Sequence, residues 1–422
     1  MRKIALFLLA LALPGLAAAQ EIEASAPERR VLTGNIAEYS FKVPVGPGPN
    51  DVIGIHRVVK EVAPGVPARA KKALMMAHGD IWGFRPAFLA DPVNNLPVFL
   101  AENGVDVWGI DYRWTLVPGS TTDFSFMQDW GIEQDARDLG VALGVARSVR
   151  LATGNGFGKM LLLGWSRGGQ IGYAYLNAES QVPPGLRQVS GFIPTDIYLK
   201  TDNEDFRLAA CTRYLGAKQQ LDGGVYHNPT GGVVSTVAAL ATADPSGASP
   251  VIPGFTNHQA SLAVGSLTFI LLPPGLEPVP LYHFTGGTFE PTTPLPTPTG
   301  LIYSPESSLL ALEAGASPFQ PVKVGADADA STCDDPSIVD VAFDDHLADI
   351  KVPVFYLGAN GGFGESGIYT TTLLGSQDVT SHVVDLQPAA AQLLEIGHGD
   401  IFLATDGESL FWQPVLSWIQ GH

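Results

Sequence analysis

A chain of 422 residues with 42 acidic against 24 basic side chains, net charge −18, has room for one large domain with a substantial insertion, or for two domains. Its acidity weighs against nucleic acid and anionic membrane surfaces as partners, because their phosphate field repels the protein. Past the first residues, short apolar runs such as 267–272 occur but none long enough to cross a bilayer, so no stable membrane insertion is expected.

Residues 1–19 read as a cleavable export leader: Arg2 and Lys3 precede an apolar run over 4–13, and Ala17, Ala18 and Ala19 offer small residues for cleavage before Gln20. The mature chain is then expected outside the cytoplasm. In that setting its two cysteines, Cys211 and Cys333, are expected to pair as one disulfide.

Segments 38–43 and 52–62 alternate apolar and polar residues and predict an antiparallel pair of strands. A short apolar strand over 73–77 then runs into His78-Gly79-Asp80-Ile81-Trp82-Gly83, a helix over 97–103 stops at Gly104, and 105–110 is the next strand. Over 128–152 a helical period puts Ile132, Ala136, Leu139, Leu143 and Ala146 on one face. The apolar run 160–163 enters Gly164-Trp165-Ser166-Arg167-Gly168, a helix follows over 170–178, and a strand over 188–194 ends near Asp196. This alternation predicts an α/β fold with a mostly parallel sheet and helices on both faces. Sites in such sheets form at the carboxyl ends of strands, where His78, Ser166 and Asp196 fall.

Residues 197–350 break the rhythm. Turn-formers crowd this stretch, eight prolines lie between 273 and 300, and both cysteines belong to it. Prolines so dense can donate to neither helix nor sheet ladder, so the region is expected to be an inserted cap over the active edge of a core formed by 20–196 and 351–422. The core pattern resumes with a strand over 352–357 and a glycine-rich turn over 358–367. A last strand fits 382–386 or 392–396 equally well, and a helix over 409–419 turns Leu410, Phe411, Val415, Leu416 and Trp418 to the core.

Strand, Gly-x-Ser-x-Gly and helix together are the context of a nucleophile elbow, with Ser166 at the turn. A serine hydroxyl is a weak nucleophile at neutral pH and needs a base and a group that orients the base. Of nine histidines, His398 is the best base: it lies in Ile396-Gly397-His398-Gly399-Asp400, between the last strand and the last helix. Trp82, Phe84, Trp114 and Trp165 flank the predicted site, either lining an apolar pocket or packing in the core. The carboxylates over 327–335 and Asp344-Asp345-His346 lack the spacing of a cation loop and read as a solvated acidic surface. Neither a metal nor a cofactor is expected.

The His78-Gly79 stretch, the Gly164–Gly168 elbow, Asp111-Tyr112-Arg113 and His398-Gly399-Asp400, in this order, make the chain resemble the α/β-hydrolase family over nearly all its length beyond the leader. The resemblance implies a hydrolase that cleaves carboxylic esters, small or lipid-like, through a Ser-His-acid triad and an acyl-enzyme. It also implies that the backbone N–H groups of Arg167 and of Gly79 or Asp80 hold the oxyanion, with His78 shaping that loop rather than acting as base. The acid departs from the family pattern: after the strand at 353–357 the chain reads Gly358-Ala359-Asn360-Gly361-Gly362-Phe363-Gly364-Glu365, with no aspartate at the usual distance. Asp196 and Glu365 remain as candidates. An amidase or peptidase would need the same residues, and the missing aspartate keeps a catalytically inactive binding protein as the rival of another class.

Overall fold

The computed structural model describes residues 25–272, 275–292 and 295–422. The expected leader over 1–19 lies outside the described residues. The central sheet has ten strands. Nine form its path: Glu28–Thr33 (β1), Ile36–Pro44 (β2), Val52–Ala63 (β3), Lys72–Ala77 (β4), Val105–Asp111 (β5), Met160–Trp165 (β6), Val189–Thr195 (β7), Val354–Ala359 (β8) and Val379–Val384 (β9). Their order is β1-β2-β3-β5-β4-β6-β7-β8-β9, with Val66–Pro67 paired to β3 as the tenth. The pairs from β1 to β5 are antiparallel, and those from β5 to β9 are parallel.

The inner strands β4, β6 and β8 read as apolar runs because both of their faces are covered. Leu74, Met76, Leu161, Leu163 and Ile193 pack on one face with the helices Phe84–Phe88 (α1) and Leu96–Glu102 (α2) and with the C-terminal helix Gln413–Gly421. Their sequence neighbours Ala73, Met75, Leu162 and Phe192 pack on the other, with Ile132–Ala152 (α3) and Arg167–Ser180 (α4). Side chains alternate across a strand, so these interleaved sets give the sheet two cores.

Four expectations shift. The edge strand β1, largely exposed, was not anticipated, and it makes the strand ending at His78 the fourth of the nine path strands in chain order. The helix expected from 128 begins at Ile132, whose N–H donates to Asp327 Oδ2 at 3.0 Å, a cap supplied from far along the chain. α4 begins at Arg167, immediately after the elbow. The last strand is Val379–Val384, in parallel register with β8, whereas 392–394 lies in a 3₁₀ turn, Ala389–Leu394.

Residues 197–350 fold into helices Glu204–Asp222, Thr230–Ala243, Asn257–Ser266, Glu306–Ala314 and Val322–Cys333, among shorter elements. The first and last of these pack together and are joined by the Cys211–Cys333 disulfide. The proline-rich stretch does form a ladder: Gly287–Glu290 pairs with Thr297–Leu301, Pro298 lying opposite Phe289 beside a register shift. Proline is tolerated there because each strand of a two-stranded ribbon is an edge.

Candidate active site

Register brings the site together. Trp165 at the end of β6 pairs with Thr195 of β7, which in turn pairs with Leu357 of β8, so Ser166 and Asp196 leave adjacent strands at one edge. Ser166 has φ 55° and ψ −129°, a conformation that costs a non-glycine residue roughly 1–3 kcal/mol. Its N–H donates to Thr195 O at 2.9 Å, and its carbonyl accepts from Gly169 N at 2.8 Å. The turn therefore holds the side chain clear of both strand and helix. The loop after β4 lies against it: a Cβ on Gly79 would stand 2.8 Å from Ser166 Cβ and 3.3 Å from Oγ. Arg167 N, at the first position of α4, has no partner within the helix.

Asp196 is buried, with φ 47°, and four donors converge on its carboxylate. Ala359 N and Gly364 N reach Oδ1, each at 3.0 Å, and Phe363 N reaches Oδ2 at 3.1 Å. The fourth is His398 Nδ1, 2.7 Å from Oδ2. A carboxylate only accepts, so Nδ1 carries the proton and Nε2 keeps its lone pair. Gly362 permits this approach, since a Cβ there would fall 1.9 Å from Asp196 Oδ2. Glu365 sits on the same turn with its side chain exposed to solvent.

His398 is 2 % exposed. Four aromatic rings surround it: Trp165 stacked at 5.1 Å, Tyr282 at 5.5 Å, Phe363 at 5.7 Å and Phe284 at 5.9 Å between centroids. Its loop is tied to the segment that carries Tyr282 and Phe284, His398 N donating to His283 O at 3.2 Å and Gly399 N to Phe284 O at 2.6 Å. Asp400 anchors the loop from behind, accepting from Gly397 N and Gly286 N at 2.8 Å each and from Ser304 Oγ at 2.5 Å. Burial pushes its carboxyl up to about 7 against the pull of those donors. The side-chain hydrogen bond of His398 goes to Asp196 and none reaches Ser166 Oγ, a looseness common in sites without substrate.

His78 faces elsewhere. It is buried, its Nδ1 lies 2.9 Å from Gly79 O, and its ring packs edge-on against Tyr112 and Trp114. Burial pushes its pKa down, which keeps it neutral. Of the flanking aromatics, Trp165 and Trp82 belong near the site, Trp82 reaching Phe284 at 5.9 Å, whereas Phe84 stacks on His56 and Trp114 backs His78. Asp344 pairs with Lys200 at 2.9 Å, and among the described residues no cluster could hold a metal ion.

Sequence reading missed Tyr282, Phe284 and Phe363, whose signals were the aromatic pair around His283 and the glycine run 358–364. Glycines crowded into a turn mark close backbone approach, here the amides that reach Asp196. Nothing in the sequence pointed to Gln320, whose Nε2 donates to Asp80 Oδ1.

No protein-family model and no curated protein matches the sequence. Among solved structures, a candidate lipase from Sulfolobus solfataricus superposes with a TM-score of 0.60 at 18 % identity, over 92 % of this chain and 95 % of that one. A monoacylglycerol lipase from Paleococcus ferrophilus gives 0.43 at 13 % identity, over 84 % and 96 %. An esterase from Thermogutta terrifontis gives 0.42 at 11 %, over 94 % and 99 %. The first likeness spans both chains nearly end to end, and the sheet here is mostly parallel with helices on both faces, so this chain has the α/β-hydrolase fold.

Proposed function

We propose that the protein hydrolyses carboxylic esters through an acyl-enzyme formed on Ser166. The observation that carries this is the pairing of a strained elbow serine with a buried His398–Asp196 couple at the same sheet edge, Trp165 bridging them by stacking on His398. In the reaction Ser166 Oγ attacks the ester carbonyl while His398 Nε2 takes its proton. Asp196, fixed by three backbone amides, holds the imidazole in the Nδ1–H tautomer and stabilises the imidazolium. Arg167 N and the N–H of Asp80 or Gly79 are the donors to the tetrahedral oxyanion, each worth roughly 3 kcal/mol in the transition state. The intermediate collapses as His398 returns the proton to the departing alkoxide, and water repeats the cycle on the acyl-serine.

The aromatic wall around His398 favours an apolar ester. We also read the insertion as a cap and the protein as exported; the Cys211–Cys333 bond supports export, since disulfides persist in oxidising compartments. The test is labelling of purified protein by a fluorophosphonate, located by tandem mass spectrometry, alongside hydrolysis of chromogenic esters. An adduct on Ser166 that is absent from Ser166→Ala and greatly slowed in His398→Ala is the expected result. Folded protein with no adduct and no turnover would overturn the reading in favour of a binding protein.

A further inference from the structure

The loop that follows β4 is held by the side chains of Arg167 and Gln320 and by the backbone amide of Ser317. The side chain of Asp80 is 37 % exposed beside the site, and its carboxylate is forked by Arg167: Nε donates to Oδ1 at 3.0 Å and Nη2 to Oδ2 at 2.9 Å. Arg167 follows the serine in sequence, and its remaining terminal nitrogen donates to Gln170 Oε1 one turn along α4. Gln170 Nε2 in turn donates to Tyr198 O at 2.8 Å. The guanidinium is thus directed into the fold, with all three nitrogens engaged by protein partners.

The insertion grips the same loop. Gln320 Nε2 donates to Asp80 Oδ1, and Ser317 N donates to the carbonyl of the next residue, Ile81, at 2.7 Å. Ile81 has φ 57°, an outlier for a β-branched side chain, which a loop does not keep unless its surroundings impose it. Asp80 therefore stands between the residue that packs on Ser166, Gly79, and one held in a strained conformation. Its own carboxylate bridges the nucleophile helix to the insertion.

We propose that Asp80 is a positioning residue: gripped by Arg167 and Gln320, its carboxylate fixes the loop 79–81 so that the loop amide and Arg167 N meet one oxyanion. Arg167, which supplies one backbone donor, and Asp80, which lies in the loop that supplies the other, are joined to each other through their side chains. The pair sets the spacing of the hole without either side chain touching substrate. Because Gln320 and Ser317 belong to the insertion, docking of that region and assembly of the hole are a single event.

This rests on the hydrolase reading above, and one experiment separates the two. Asp80→Ala, Arg167→Met and the double variant are compared with wild type in kcat, KM, phosphonate labelling rate and melting temperature. A hole that is displaced rather than deleted costs roughly 10- to 100-fold in kcat and in labelling rate, with KM changed less than about twofold. Two residues acting as one strut make the double variant no slower than the slower single one. Asp80→Asn, which keeps an oxygen acceptor for Arg167, should recover much of the rate. A labelled wild type whose folded variants label as fast, or lose KM alone, or lose rate additively, overturns the proposal and leaves the hydrolase reading intact. An unlabelled wild type overturns both.

Discussion

Asp196→Asn isolates the orienting role proposed for this acid. The side chain keeps its volume, and Oδ1 can still accept from Ala359 N and Gly364 N at 3.0 Å. The second oxygen, however, becomes an NH₂ facing two donors, Phe363 N at 3.1 Å and His398 Nδ1 at 2.7 Å. The imidazole escapes the clash by shifting its proton to Nε2, which removes the lone pair that accepts the Ser166 proton. A wrong tautomer in a serine triad costs about 10⁴-fold in kcat, or about 5.5 kcal/mol of barrier. Two charge-assisted bonds are lost as well, at about 1.5–3 kcal/mol each, so the variant should also unfold at lower denaturant. Steady-state hydrolysis of a chromogenic ester and phosphonate labelling read the first effect, and urea melts read the second. Glu365→Gln is the control, expected to match wild type because that carboxylate is exposed. An Asp196→Asn protein retaining more than about a tenth of the wild-type rate would refute this account of the acid.

Three further outcomes follow from other contacts. His56 is buried between Glu38 Oε1 at 2.8 Å and Asp111 Oδ2 at 2.9 Å. Burial opposes its charge, but the two carboxylates outweigh it and raise its pKa from 6.5 to about 9. A raised histidine gives stability that is full below 6.5 and lost as pH climbs through 9, about 3 kcal/mol in all. Urea midpoints of the wild type should therefore fall between pH 7 and 10, and a midpoint unchanged by pH would contradict the charged pair. Replacing Cys211 and Cys333 by serine opens a loop of 122 residues and should cost about 4–5 kcal/mol in the chain-entropy model, read as a lower thermal midpoint that reductant no longer shifts. Gly362→Ala puts a Cβ against Asp196 Oδ2, so kcat should fall at least about tenfold with KM nearly constant. Unchanged kcat in that variant would mean that the turn relaxes without moving the carboxylate.

The alternation of strands and helices, the elbow at Ser166 and the terminal His398 are local signals, and local signals survive in a linear sequence. A strand covered on both faces must be apolar throughout, and an elbow must be flanked by small residues, so 160–168 announces itself whatever the rest of the chain does. Cys211 and Cys333 are similarly legible, since two thiols in an oxidised protein have one internal pairing.

What the sequence left open depends on groups far apart along the chain. Asp196 and Glu365 are equivalent as letters; the choice between them as neighbours of His398 came from the parallel register of β7 with β8, which aims the amides of Ala359, Phe363 and Gly364 at Asp196 and leaves Glu365 in solvent. The start of α3 was set by Asp327 from 195 residues away, and the last strand by which segment could pair along β8. The grip of Gln320 and Ser317 on the loop beside Ser166 has no sequence signature, because a polar side chain and a backbone amide acquire a partner only when tertiary packing removes water from both.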